Sequence, residues 1–166
     1  MKETEAAWIY SMVENLTCEI LTEMAGIQLC RVSEPVEELK EKPMVGVCAT
    51  IGGDYTINMR FLAEKRLFYR LAKNMMGEEP DDEDIQDYAM EFINVVCGRF
   101  ISEIINETHI KAHLMPVEYR VPSGRVLGDK NEVQTLGLVS DEQEYAVFAW
   151  TTMAIEDMVR RSKLNG

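Results

Sequence analysis

Positive charge is scarce in this sequence. Its 166 residues include 17 lysines and arginines against 29 aspartates and glutamates, which gives a formal net charge of −12 at pH 7. An acidic chain repels the phosphate backbone of nucleic acids and the anionic surface of membranes, because both attract proteins largely through lysine and arginine. The composition therefore argues against nucleic acid and lipid as partners.

Long apolar runs and paired cysteines are also missing. No segment approaches the roughly 18 consecutive apolar residues of a membrane helix, and the N-terminus lacks the apolar run of a secretory signal. The four cysteines stand singly, without a C-x-x-C pair, at Cys18, Cys30, Cys48 and Cys97. We therefore expect a cytoplasmic protein with reduced thiols and no membrane insertion.

Common catalytic motifs are absent as well. The chain has no G-x-S-x-G elbow and no P-loop, which disfavours a serine hydrolase or an ATP-dependent enzyme. His109 and His113 lie four residues apart, a spacing that can hold zinc on a helix. Because this region is expected to be strand-like and offers the pair no third ligand, no metal site is predicted.

Hydrophobic spacing predicts three helices and six strands. Apolar residues recur at helical intervals in residues 6–25, 63–76 and 85–106, and Gly26 and Gly77 follow the first two helices as cap glycines. The strands are predicted from β-branched or alternating segments at residues 27–32, 44–51, 55–61, 113–121, 133–139 and 145–151. Residues 153–163 are expected to form a helical tail.

These elements predict one α+β domain spanning residues 1–166. The chain length and its 46% hydrophobic content suffice for a single core, and the hairpin expected at Gly52-Gly53 favours a mostly antiparallel sheet covered by two long helices and one short helix. The acidic segment 78–84 lacks EF-hand spacing, so we interpret it as the start of a helix, where acids favour the positive end of the dipole.

The helix predicted over residues 85–106 has two different faces. At 100° per residue one face carries the ordinary core stripe of Ile85, Ala89, Phe92, Ile93, Val96 and Phe100. The opposite face carries an acid, an amide and a glycine in one narrow wedge, which Ile101 and Ile105 extend as exposed hydrophobic residues. The wedge consists of Asp87, Glu91, Asn94 and Gly98. This composition is typical of a surface that contacts another macromolecule, although tight helix packing is an equal explanation for Gly98.

Glu91-x-x-Asn94, with Gly98 four residues further on, resembles the E-x-x-N…G helix of the CheX and CheC class of chemotaxis phosphatases. The order and lengths of the predicted elements also resemble CheX across nearly the whole chain. CheC relatives carry two such motifs, in a pseudo-duplicated architecture, but here Met12 stands where the acid would precede Asn15. The resemblance therefore implies a single active helix, as in CheX.

The resemblance also implies a function, a partner and residue roles. These proteins dephosphorylate a CheY-like receiver domain, which holds its own Mg²⁺, so no cofactor is expected on this chain. Asn94 would orient the attacking water and Glu91 would pair with a lysine of the receiver, as catalytic residues. Asp87, Gly98, Ile101 and Ile105 would contact the partner, and a homodimer formed through sheet edges is implied.

Two other functions stay open at this stage. A non-catalytic receiver-binding or scaffold module would keep the same fold and the same docking face without accelerating hydrolysis. A dimeric sensor would need an apolar pocket with convergent polar groups, of which the sequence gives no sign.

Overall fold

The computed structural model describes residues 3–33, 42–121 and 133–151. Within these ranges the helices are α1 (Glu3–Ala25), α2 (Lys65–Met76) and α3 (Asp82–Thr108). The strands are β1 (Leu29–Arg31), β2 (Met44–Gly53), β3 (Ile57–Glu64), β4 (Ala112–Leu114), β5 (Glu118–Arg120), β6 (Val133–Ser140) and β7 (Tyr145–Thr151). The predicted tail helix over residues 153–163 lies outside the described residues.

The described strands form one antiparallel sheet in the order β1-β6-β7-β3-β2-β4, with β5 also paired to β2. Together with the three described helices, this confirms the predicted α+β class. The helices pack on one face, where side chains of alternating strand positions, such as Val47 of β2 and Phe61 of β3, are fully buried. Among the described residues, no helix combines the length and the apolar character needed to cross a bilayer.

The aromatic ring of Phe61 joins the sheet to two helices. Its centroid lies 5.8 Å from that of Phe68 on α2, 5.4 Å from that of Phe92 on α3 and 5.5 Å from that of Phe148 on β7. Tilted and edge-on pairs at these separations are favourable beyond the area that they bury. This cluster holds α3 against the centre of the sheet.

The ends of the helices follow from local chemistry. Gly26 and Gly77 have φ values of 67° and 76°, in the left-handed region that glycine adopts without strain, so both predicted caps are confirmed. At the start of α3, the Asp84 N–H donates to Asp81 at 2.8 Å and the Asp81 N–H donates to Asp84 at 3.0 Å. The acidic segment therefore begins a helix through a capping box, as expected.

Several predicted boundaries were wrong by a few residues, and two of the differences have a clear physical cause. Residues 63 and 64 end β3 instead of beginning α2, because they continue the ladder with residues 45 and 44 of β2. The single strand predicted over residues 113–121 is two short strands, β4 and β5, separated by Pro116, which has no N–H to donate to a ladder. Both short strands pair with β2 and border α3.

Candidate functional site

The exposed ridge of α3 is the candidate site, and it consists of Asp87, Glu91, Asn94 and Gly98. The first three side chains are exposed and Gly98 is half-buried. At 100° per residue these positions fall within a sector of about 60°, so they line up along the helix. Glu91 and Asn94 are one turn apart, which places their Cβ atoms roughly 5–6 Å from each other.

The backbone under the ridge is held by buried side chains. Phe92, Ile93 and Val96 are each at most 1% exposed, and they alternate along the chain with the exposed residues of the ridge. Because α3 is 27 residues long and capped at its start, the helix presents Glu91 and Asn94 from its rigid interior instead of a frayed end. Such a position keeps their spacing fixed when a partner approaches.

The side chains of Asp87, Glu91 and Asn94 make no hydrogen bond or ion pair with any described residue. Some other exposed acids are paired: Asp82 of α3 with Lys65 at 3.0 Å, Glu23 of α1 with Arg99 at 2.8 Å, and Glu79, between α2 and α3, with Lys73 at 2.9 Å. The ridge therefore retains its hydrogen-bonding capacity for a group outside the described residues.

Gly98 has no packing role among the described residues. A Cβ built on this glycine meets no atom of another described element within 4 Å. By contrast, a Cβ on Gly137 would lie 2.8 Å from the Val32 side chain, so that glycine is required by a close contact. Tight packing against residues 3–33, 42–121 and 133–151 therefore does not explain Gly98. The glycine costs the helix about 0.5–1 kcal/mol relative to alanine, and no described contact compensates.

The expected exposure of Ile101 was also wrong. Ile101 is 9% exposed and lines a small apolar crevice with Ile51, Ile57 and Ile110. The buried sector of α3 shifts along the helix, because strand β4 and the segment before it cover one side of its C-terminal half. Ile105 is half-buried and packs partly against the core. The exposed ridge thus narrows after Gly98.

One feature of the ridge was missed in the sequence. The Ser102 hydroxyl donates to the carbonyl oxygen of Gly98 at 3.1 Å, four residues back in the helix. Serine side chains in helices commonly bond to the carbonyl four residues earlier, so this hydrogen bond could have been predicted from the sequence. The hydrogen bond ties the small Ser102 side chain to its own helix, directly beside the position that lacks a side chain.

The first helix carries no equivalent ridge. Met12 is half-buried against the core, Asn15 is exposed, and Glu14 forms an ion pair with Arg31, whose guanidinium carbon lies 4.4 Å from the centroid of the Tyr10 ring. The chain therefore presents the acid-and-amide pair on α3 but not on α1.

No group of three or more His, Cys, Asp or Glu side chains is arranged to hold a metal ion in residues 3–33, 42–121 and 133–151. His109 ends α3 with a φ of 58°, and His113 lies on β4. The two histidines are therefore on different elements and not on one face of a helix. They do not form the pair on one helical face that their spacing permits.

Comparison with known proteins gives a family match over the middle of the chain. Residues 45–123 match the model of the family "Chemotaxis phosphatase CheX". This segment contains α2, α3 and four strands, which are β3, β4, β5 and nearly all of β2. No curated protein sequence matches the chain.

Solved structures with similar folds cover more of the chain. CheX from Desulfovibrio desulfuricans is 18% identical with a TM-score of 0.67, covering 85% of this chain and 97% of that one. CheX in a CheX–CheY–BeF₃–Mg²⁺ complex from Borrelia burgdorferi is 12% identical with a TM-score of 0.68, covering 85% and 95%. FliY from Thermotoga maritima is 14% identical with a TM-score of 0.69, covering 100% and 99%.

Because these structures are only 12–18% identical to the chain, the matches show a shared fold and nothing more. Taken with the family match, they confirm the predicted resemblance to the CheX and CheC class. The family match spans the exposed ridge of α3, so the motif that carried the resemblance lies inside the matching segment.

Proposed function

We propose that this protein is a phosphatase that hydrolyses the aspartyl-phosphate of a CheY-like receiver domain. The observation that carries the proposal is the unpaired pair of Glu91 and Asn94 on an exposed helix, within the segment that matches the chemotaxis phosphatase family. The CheX–CheY complex among the similar structures supports a receiver as the partner.

Asn94 orients the attacking water. An acyl phosphate in a receiver is already labile, because Mg²⁺ and a lysine of the receiver balance the charge on the phosphoryl oxygens. Water attacks phosphorus, the bond between phosphorus and the aspartate oxygen breaks, and the products are the free carboxylate and inorganic phosphate. A carboxamide can donate to and accept from that water without adding negative charge beside the phosphoryl group.

Glu91 docks the helix on the receiver. Its unpaired carboxylate can form a charge-assisted hydrogen bond with the receiver lysine, which places Asn94 over the phosphorylated residue. Asp87, one turn before Glu91, steers the basic receiver surface, and the half-buried Ile105 adds a minor apolar contact. Ile101 has no part in this docking because it is buried.

The remaining expectations follow from the same proposal. The chain supplies no cofactor, and the Mg²⁺ belongs to the receiver, as the composition of the Borrelia burgdorferi complex supports. The protein acts in the cytoplasm, where receivers are phosphorylated. The homodimer through sheet edges stays a prediction.

The test is the decay of a phosphorylated chemotaxis receiver with and without this protein. We expect the wild-type protein to accelerate decay, and Asn94→Ala and Glu91→Ala each to reduce the acceleration at least about tenfold. Because both side chains are exposed and unpaired, neither variant should change the free energy of unfolding by more than about 0.5 kcal/mol.

Matched controls are available on the same chain. Asn15→Ala removes an exposed asparagine from α1, and Glu103→Ala removes an exposed glutamate from α3 away from the ridge. Both should retain full activity. Acceleration that survives in Asn94→Ala would refute the role of the amide, and binding without acceleration by the wild-type protein would favour the non-catalytic scaffold.

A further inference from the structure

We propose that the absence of a side chain at Gly98 leaves space that the receiver surface needs in order to reach Asn94. The inference rests on the proposed function and assigns to this position a steric role in docking. Gly98 is a positioning residue, because it acts through the distance between the receiver and the amide of Asn94.

The first step is the cost of the glycine to the free protein. Gly98 lies inside α3 with an ordinary helical φ, so no left-handed conformation requires it. A Cβ there would meet no atom of another described element within 4 Å, so no described packing contact requires it either. Gly98 weakens the free helix, and no described contact gives a structural reason for it. The most direct explanation is that the complex with the partner requires a glycine at this position.

The second step is the shape of the surface around Gly98. Asn94 lies one turn before it on the ridge, and Ser102 lies one turn after it. The Ser102 hydroxyl is bonded back to the Gly98 carbonyl at 3.1 Å, so this small side chain is held against the helix. We call this stretch of the ridge, where Gly98 has no side chain and Ser102 has a short one, the notch, and it begins one turn beyond the candidate catalytic amide.

The third step is the geometry of hydrolysis. Asn94 must hold a water that also contacts phosphorus, so the phosphorylated loop of the receiver must come within about two hydrogen-bond lengths of the amide. A neighbouring loop of the receiver then meets the helix one turn away, since residues four apart are only about 5–6 Å from each other at Cβ. A long side chain at position 98 would contact that loop first and hold the phosphoryl group away from Asn94.

The occupant of the notch is a receiver domain, and charge supports this choice. The ridge on the N-terminal side of the notch presents the unpaired carboxylates of Glu91 and Asp87, which complement a receiver surface that exposes a lysine beside its phosphorylated residue. The acids fix where the receiver binds along α3, and the notch fixes how closely it approaches.

The experiment compares Gly98→Ala and Gly98→Leu with the wild-type protein and with Glu103→Leu. Glu103 is an exposed residue of α3 away from the ridge, so it provides a control of equal bulk. Thermal unfolding measures stability, and receiver dephosphorylation over a range of receiver concentrations measures half-saturation and maximal rate.

We expect both Gly98 variants to unfold about 1–4 °C higher than the wild-type protein, because alanine and leucine are better helix formers in an open position. Gly98→Ala should raise the half-saturating receiver concentration about tenfold, and Gly98→Leu should abolish measurable acceleration, since a misplacement of about 1 Å can cost a hundredfold. Glu103→Leu should retain the wild-type activity.

A stabilised protein with lost activity would support the inference, because a structural role for Gly98 would lower stability and activity together. Full activity in Gly98→Leu would overturn the inference and leave the proposed function standing. A lower unfolding temperature in both variants would also overturn it. If the wild-type protein neither binds nor dephosphorylates any receiver, the proposed function fails and the inference fails with it.

Discussion

At the scale of single residues, Glu64 is a buried carboxylate with several partners. It is 2% exposed, accepts hydrogen bonds from Arg66 Nε at 3.0 Å and from the Tyr145 N–H at 2.6 Å, and lies 3.6 Å from Lys42 Nζ. Burial by itself raises the pKa of Glu64, but the hydrogen bonds from Arg66 and Tyr145 together with the nearby positive charges outweigh it. The pKa of Glu64 is therefore lowered from its usual value.

This lowered pKa predicts a pH-dependent contribution to stability. A carboxyl whose pKa is lower in the folded state stabilises the fold above its unfolded pKa, near 4.3, and this contribution disappears as pH falls through the folded pKa. Glu64→Gln should lower the free energy of unfolding by about 1–3 kcal/mol at pH 7, with the difference shrinking at pH 3. Urea unfolding at both pH values measures this difference in the free energy of unfolding. An equal difference at pH 7 and pH 3 would refute the ionic role, and the exposed Glu103→Gln should have little effect at either pH.

At the scale of elements, the capping box at the start of α3 anchors the helix that carries the site. Asp81→Ala removes the side-chain acceptor of the Asp84 N–H and should lower the free energy of unfolding by about 1 kcal/mol. The ridge lies more than a turn further along the helix, so the maximal rate of receiver dephosphorylation should not change at temperatures well below unfolding. A large loss of rate with retained folding would show that the helix start takes part in docking. Asp87→Ala, which removes a ridge acid without a capping bond, is the comparison that separates these two roles.

The same helix shows how far the sequence alone could predict the site. The 100° rule correctly placed Asp87, Glu91 and Asn94 on the exposed side, because the core stripe of the first half of α3 is regular. It failed at Ile101, because the burial of that side depends on β4, which pairs with β2 more than 50 residues earlier in the chain. Helical periodicity records local amphipathicity and contains no information about such a long-range neighbour.

At Gly98 the sequence placed the residue on the exposed face but could not explain why it is a glycine. The sequence offered packing and partner contact as equal explanations, because a glycine in a helix looks the same in both cases. Only the positions of the surrounding described elements, which leave open space where a Cβ would stand, separate them. The order of helices and strands was predictable from periodicity and cap glycines, whereas the split of residues 113–121 into β4 and β5 depended on how Pro116 meets the edge of the sheet.

At the scale of the whole molecule, the net charge of −12 affects how the receiver finds the ridge. An acidic protein attracts a basic receiver surface over a distance of about one Debye length, roughly 8–10 Å at physiological salt, and faster encounter follows. Among the exposed acids of α3, Asp87 and Glu91 are unpaired and lie on the face that we propose to dock. These two acids therefore contribute to the attraction at the proposed docking face.

This attraction predicts that salt affects the rate at subsaturating receiver but not the maximal rate. Raising NaCl from about 50 mM to about 500 mM should lower the acceleration at subsaturating receiver several-fold, because screening slows encounter, and should leave the maximal rate at saturation nearly unchanged. Asp87→Asn should show a smaller salt dependence than the wild-type protein, whereas Asn15→Ala should show the same. The intrinsic decay of the receiver, measured at each salt concentration, is subtracted. If salt lowered the maximal rate as strongly as the subsaturating rate, charge would act on the chemical step, and the steering role of the acidic surface would be wrong.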